Sequence, residues 1–170
     1  IYLASINCSN NQLTTLDLTN TSFNNNYLYQ LYCRNNQLTS LNVSNNTSME
    51  NLSCSNNQLS NLDITNCASI ETLLCDSNQL TNINLTNLSA LRAIYCSDNQ
   101  ITSLDLSTND NLEIIDFMNN QLISVDLRNG YNNNLSNVYF LGNPYLYCID
   151  VDNPSAWVWN QGFGFDPQTS

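Results

Sequence analysis

The chain has 170 residues, of which 34 are Asn, only 10% are charged, and the formal net charge is −11. Arg34, Arg92 and Arg128 are its only cations, with no Lys and no His, so no basic face exists to neutralise phosphates, and binding to nucleic acid or to anionic lipid is excluded. No apolar stretch has the length of a membrane-spanning helix, and catalytic groupings built on His or Lys are impossible.

The first predicted element is a short strand around Ile6, in the phrase Leu3-x-x-Ile6-x-Cys8-x-x-Asn11-x-Leu13. The phrase returns with Leu28, Leu31, Cys33, Asn36 and Leu38, then Met49, Leu52, Cys54, Asn57 and Leu59, then Ile70, Leu73, Cys75, Asn78 and Leu80. Leu91, Ile94, Cys96, Asn99 and Ile101 follow, then Leu112, Ile115, Phe117, Asn120 and Leu122, and finally Leu135, Val138, Phe140 and Asn143. The Asn residues recur at intervals of 25, 21, 21, 21, 21 and 23. A fixed period of this length predicts a solenoid, in which each repeat is one coil stacked on the last.

In each coil the apolar residues flanking the middle of the phrase alternate with polar ones, which predicts a strand with Leu and Cys inward. Stacking then builds a parallel sheet. The Asn after each strand stands where the chain turns, and its amide has the donors and the acceptor to satisfy buried backbone groups there. The Asn column is therefore read as structural. Cys8, Cys33, Cys54, Cys75 and Cys96 share one inward column that continues as Phe117 and Phe140. The slot wants an apolar side chain, which a free thiol supplies. The spacings of zinc sites are missing.

A second apolar pair follows in each coil: Leu16/Leu18, Leu41/Val43, Leu62/Ile64, Ile83/Leu85, Leu104/Leu106 and Val125/Leu127. With 21 residues per coil there is little room for a full helix, so this convex side is predicted to be extended, with short 3₁₀ or turn segments. Between the two apolar residues lies the column Asp17, Asn42, Asp63, Asn84, Asp105, Asp126 and Asp150. It is read as a solvated stripe paired with turn amides, with calcium bridging of Asp105 and Asp126 left open. Thr14, Thr39, Ser60, Thr81 and Thr102 form another regular row, interrupted at Ile123. The longer steps carry insertions at 21–27 and 129–134, both on the same edge.

The phrase L-x-x-L-x-L-x-x-N-x-L is that of leucine-rich repeats, with Cys in the middle slot. Over residues 1–150 the spelling resembles Asn-rich leucine-rich repeats of secreted and cell-surface proteins of Bacteroidetes-type bacteria, where phrases like the one from Cys8 to Asn20 recur. The stretch from Asn143 to Asp152 is similar to the closing segment of such arrays. The resemblance implies a leucine-rich repeat solenoid, mostly β and turns with little helix: a curved parallel sheet of about seven coils. It also implies a secreted or cell-surface location.

The array is expected over 1–148, and a capping segment over 149–170, where Trp157, Trp159, Phe163 and Phe165 would cover the open apolar end. Because the chain begins inside a repeat, it is read as a piece of a larger protein.

Function is sought where the pattern stops repeating. The outward positions of the concave strand are Asn7, Tyr32, Ser53, Leu74, Tyr95, Asp116 and Tyr139, flanked by varied side chains. The candidate partner-binding residues are Gln30, Tyr32, Arg34, Leu74, Asp76, Tyr95, Asp116, Met118 and Tyr139. Tyr supplies large contact area at low entropy cost. The expectation is a non-catalytic recognition module for a protein or a glycan, needing no cofactor. An architectural spacer, an ice- or crystal-binding surface built on the Thr row, and a carboxylate-based enzyme are the competing readings.

Overall fold

The computed structural model describes residues 3–18 and 27–153. These residues form a parallel β-solenoid of seven turns. The only helical segment among them with assigned bounds is a 3₁₀ turn at Asn132–Asn134, in the second of the two insertions. The first insertion falls largely outside the described residues.

Twelve three-residue strands alternate between the two sides of the coils: β1 (Ser5–Asn7), β2 (Gln30–Tyr32), β3 (Ser40–Asn42), β4 (Asn51–Ser53), β5 (Asn61–Asp63), β6 (Thr72–Leu74), β7 (Ala93–Tyr95), β8 (Ser103–Asp105), β9 (Ile114–Asp116), β10 (Ser124–Asp126), β11 (Asn137–Tyr139) and β12 (Cys148–Asp150). One side is a continuous seven-stranded parallel sheet in the order β1-β2-β4-β6-β7-β9-β11. Its register steps by one coil at a time, so that Ile6, Leu31, Leu52, Leu73, Ile94, Ile115 and Val138 stack in a single inward row.

The other side is extended with short turns, as expected, and its extended pieces pair as strands. It forms two separate sheets, β3-β5 and β8-β10-β12. β12 pairs in register with β10, Val125 opposite Ile149, so the array's second side runs on to Asp150. Residues 154–170, with Trp157, Trp159, Phe163 and Phe165, lie outside the described residues.

The core is one column of apolar side chains between these two sides. Leu31, Leu52, Leu73, Ile94 and Ile115 face Leu41, Leu62, Leu104 and Val125, all buried. Burial of each such side chain is worth about 1.5–3 kcal/mol. Thin coils have a small interior, so backbone polar groups must also be satisfied inside it. That is the work of the Asn column. Asn57 Nδ2 donates to the carbonyls of Cys54 (3.0 Å) and, one coil earlier, Cys33 (3.1 Å), while its Oδ1 accepts the Leu38 N–H at 3.0 Å. Asn36, Asn78, Asn99, Asn120 and Asn143 repeat the arrangement.

The residue before each ladder Asn has its own task. Asn10, Asn35, Asn56, Ser77, Asp98, Asn119 and Gly142 all have positive φ, between 52° and 78°. The chain leaves each long-sheet strand through a left-handed turn, a conformation that short polar residues and Gly tolerate. The doubled Asn of the repeat thus divides its labour, the first shaping the turn and the second stitching the coils.

Candidate functional site

The outer face of the long sheet brings the sequence candidates together. Strand register aligns Asn7, Tyr32, Ser53, Leu74, Tyr95, Asp116 and Tyr139 in one row. Gln30 lies in the parallel row of Ser5, Asn51, Thr72, Ala93, Ile114 and Asn137. Arg34, Asp76 and Met118 follow the strands on the other flank. With strands about 4.8 Å apart, Tyr32 and Tyr95 stand three coils, or about 14 Å, apart, and Tyr95 and Tyr139 about 10 Å. All three rings are half-buried, held by neighbouring coils and pre-organised for contact.

Two of the candidates are tied into an internal network. Ser55 Oγ donates to Asp76 Oδ2 at 3.0 Å, and the Ser97 N–H donates to Asp76 Oδ1 at 3.2 Å. Ser97 Oγ in turn donates to Asp116 Oδ1, which also accepts the Met118 N–H at 3.2 Å. The chain Ser55–Asp76–Ser97–Asp116 therefore crosses four coils. Burial pushes the Asp76 carboxyl above its ordinary value; the hydrogen bonds from Ser55 and Ser97 oppose the rise, and the Asp116 charge adds to it. Ser55 and Ser97, both buried, were not among the sequence candidates. Their signal was the period itself, since each lies 21 residues from Asp76.

Arg34 is the exposed cation of this face, and its guanidinium forms no ion pair with a described residue. Arg92 and Arg128 are engaged. Arg92 bridges Glu113 of the next coil at 2.6 Å. Arg128 forms a fork with Asp126, Nε to Oδ1 at 2.9 Å and Nη2 to Oδ2 at 2.5 Å, and lies 4.0 Å from Asp150. The fork holds the Asp126 carboxyl below its usual value. The stripe examined for calcium thus carries its own cation at Asp126, and Asp105 Oδ1 accepts the Ser107 N–H (3.0 Å) and hydroxyl (2.6 Å). From Asn42 to Asp126 the side chain at each position of the column takes the N–H two residues on: Asn42 from Ser44, Asp63 from Thr65, Asn84 from Thr86, Asp126 from Arg128.

Behind the long sheet, Cys33, Cys54, Cys75 and Cys96 are fully buried free thiols, and Cys8 is half-buried. Cys75 Sγ donates to Cys96 Sγ at 2.9 Å. Burial pushes the Cys33 thiol up to about 12, and Cys54 and Cys75 well above the ordinary range. Cys33, Cys54 and Cys75 are thus core atoms, with no thiolate character for chemistry.

The most exposed aromatic rings among the described residues lie elsewhere. Tyr145 and Tyr147 are 66% and 77% exposed on the edge leading to β12, where the Tyr147 N–H donates to the Ile123 carbonyl at 3.2 Å.

No protein-family model matches the chain, and no curated protein matches it in sequence. In structure the chain is similar to the functional domain of InlJ from Listeria monocytogenes, described as including a cysteine ladder. The likeness has a TM-score of 0.63 at 24% identity and covers 88% of this chain and 44% of the other. This chain thus spans less than half the length of the protein chain it resembles. The shared fold is the leucine-rich-repeat type of solenoid, with the row of thiols from Cys8 to Cys96 as this chain's own cysteine ladder.

Proposed function

We propose that this array is a non-catalytic recognition module of a secreted or cell-surface protein, and that it takes a protein partner across the outer face of the long sheet. The observation that carries the reading is one row in strand register. Tyr32, Leu74, Tyr95, Asp116 and Tyr139 are varied, while the inward row behind them is uniformly aliphatic. Repetition serves the scaffold; departure from it, on a rigid surface, is where partner choice resides. Half-buried Tyr beside Leu and Met suits the core of an interface, with Arg34, Gln30 and Asp76 at its margin. The likeness to what is called a functional domain in InlJ supports taking the array itself as the working part.

The test is selection of extracellular protein partners with the full chain, followed by Tyr95→Ala and Tyr139→Ala. Each should weaken binding at least tenfold without lowering the melting temperature by more than a few degrees. Partners whose affinity ignores both changes, or a screen that yields only polysaccharides, would overturn the assignment. A repeated failure to bind anything returns the array to the role of spacer.

A further inference from the structure

The second side of the solenoid is interrupted at one coil. Leu41 pairs with Leu62, and Leu104 pairs with Val125 and then Ile149. Between them the stretch 81–87 forms no strand and pairs with neither neighbour, while on the long sheet the same coils remain in register through Leu73 and Ile94. The main-chain bond that closes this stretch is the local turn from the Leu88 N–H to the Leu85 carbonyl, 3.2 Å.

A second column of buried residues runs along this side, Asn46, Cys67, Leu88 and Asn109. Cys67 Sγ donates back to the Val43 carbonyl at 3.1 Å, and Asn109 Nδ2 donates back to the Leu85 carbonyl at 3.0 Å. Both reach 24 residues. The equivalent bond at Leu88 would go to the Ile64 carbonyl, but Leu has no donor. The Ile64 carbonyl accepts the Cys67 N–H at 3.2 Å, and the coil of 81–87 is unpaired with its later neighbour too, although the Asn109 stitch to Leu85 is in place there.

The opening is a polar cleft of about 330 Å³ between two matched rows. Asn61, Asp63 and Thr65 form one wall, and Asn82, Asn84 and Thr86 the other. Asp63 Oδ1 holds the Thr65 N–H and Asn84 Oδ1 holds the Thr86 N–H, each at 3.0 Å. That fixes both side chains and leaves Asp63 Oδ2 and Asn84 Nδ2 without a described partner, an acceptor on one wall and a donor on the other.

We infer that this cleft binds a neutral, hydroxyl-rich ligand of the saccharide class, at a site separate from the long-sheet face. A phosphate or sulfate would need a cation, and none lines the walls. An apolar ligand would strand the amides. Adjacent sugar hydroxyls both donate and accept, so one can give its proton to Asp63 Oδ2 while its neighbour accepts from Asn84 Nδ2. The volume lies within the usual range for small-ligand clefts, about 300–1,000 Å³.

The experiment is amide-resolved NMR titration of the full chain with neutral trisaccharides of glucose, mannose, galactose and N-acetylglucosamine. A neutral extended hexapeptide serves as the rival probe. At least one trisaccharide should shift the amides of 61–66 and 82–87, and Asn84→Ala should weaken it tenfold or more. Asp63→Ala, which removes the acceptor on the facing wall, should weaken it as well. Tyr95→Ala should leave sugar binding unchanged, separating this site from the partner-binding face. The inference falls if no trisaccharide binds at 10 mM (about 2.7 kcal/mol of affinity), if the shifts map to the long sheet, if Asn84→Ala has no effect, or if the peptide alone binds.

Discussion

The side-chain amide of Asn99 donates to the carbonyl of Cys75, 3.1 Å away in the preceding coil, and to that of Cys96 in its own, at 3.2 Å. Its oxygen receives the Leu80 N–H at 3.0 Å. One side chain thus joins two coils through three bonds, in an interior too thin to hide an unpaired backbone group.

Asn99→Ala orphans the Leu80 N–H and should cost about 3 kcal/mol, since a buried donor loses its partner and the site gains a void. Asn99→Asp should cost more, although it is nearly isosteric. It turns a carboxylate oxygen toward two carbonyl oxygens and buries a charge. Chemical denaturation of the two variants checks the order; an Asp variant as stable as the Ala variant would contradict the assigned amide geometry.

Gly142 and Gly130 both have positive φ, 78° and 81°, but only one is crowded. A Cβ on Gly142 would lie 2.2 Å from Asn119 Oδ1 and 3.0 Å from its backbone nitrogen, whereas a Cβ on Gly130 meets nothing within 4 Å. Gly130→Ala should therefore cost only the left-handed penalty, about 1–2 kcal/mol. Gly142→Ala should cost about 1–3 kcal/mol more, because the Asn119 turn must shift as well. The difference between their melting temperatures is the readout.

Thiol labelling separates the cysteines by burial. In the native protein only Cys8 and Cys148, both half-buried, should react with a small alkylating agent within minutes at pH 8. Cys33, Cys54, Cys67, Cys75 and Cys96 are buried, and burial raises Cys33 to about 12 and Cys67 to about 11. They should label only on unfolding. Mass spectrometry of the labelled peptides decides it.

The Asp76 carboxyl has a raised pKa, so the folded state favours its protonated form. Stability from that preference is present below the unfolded value of about 3.9 and is lost as pH rises through the folded value. At neutral pH the charge is a liability. Asp76→Asn keeps an acceptor for the Ser97 N–H and gains a donor for Ser55 Oγ. It should melt higher than the parent at pH 7, and the two should converge below about pH 3. A variant that melts lower at pH 7 would show that Asp76 is held by its hydrogen bonds more than it is penalised by burial.

The period of 21 was enough to place Leu31, Cys33, Asn36 and Leu38 and their equivalents, because in-register stacking forces every coil to repeat one inward pattern. It also placed the row from Tyr32 to Tyr139 on one outer face, since strand residues alternate. It did not reveal the left-handed turns at Asn10, Asn35 and Asn56. A doubled Asn reads as one signal until the backbone shows that its two members differ.

Nor did it reveal the opening beside Asn84. Residues 82–84 fit the strand pattern of their coil as well as 61–63 and 103–105 fit theirs. A periodic pattern records whether a side chain is apolar; it does not record whether two coils close on each other through main-chain bonds. The sequence alone determined the phase of the solenoid, its core and its Asn ladder, because those follow from repetition. Only the tertiary structure decided where coil-to-coil bonds fail and how Ser55, Asp76, Ser97 and Asp116 join. Those outcomes depend on distances between residues 19 to 24 positions apart, which no single repeat contains.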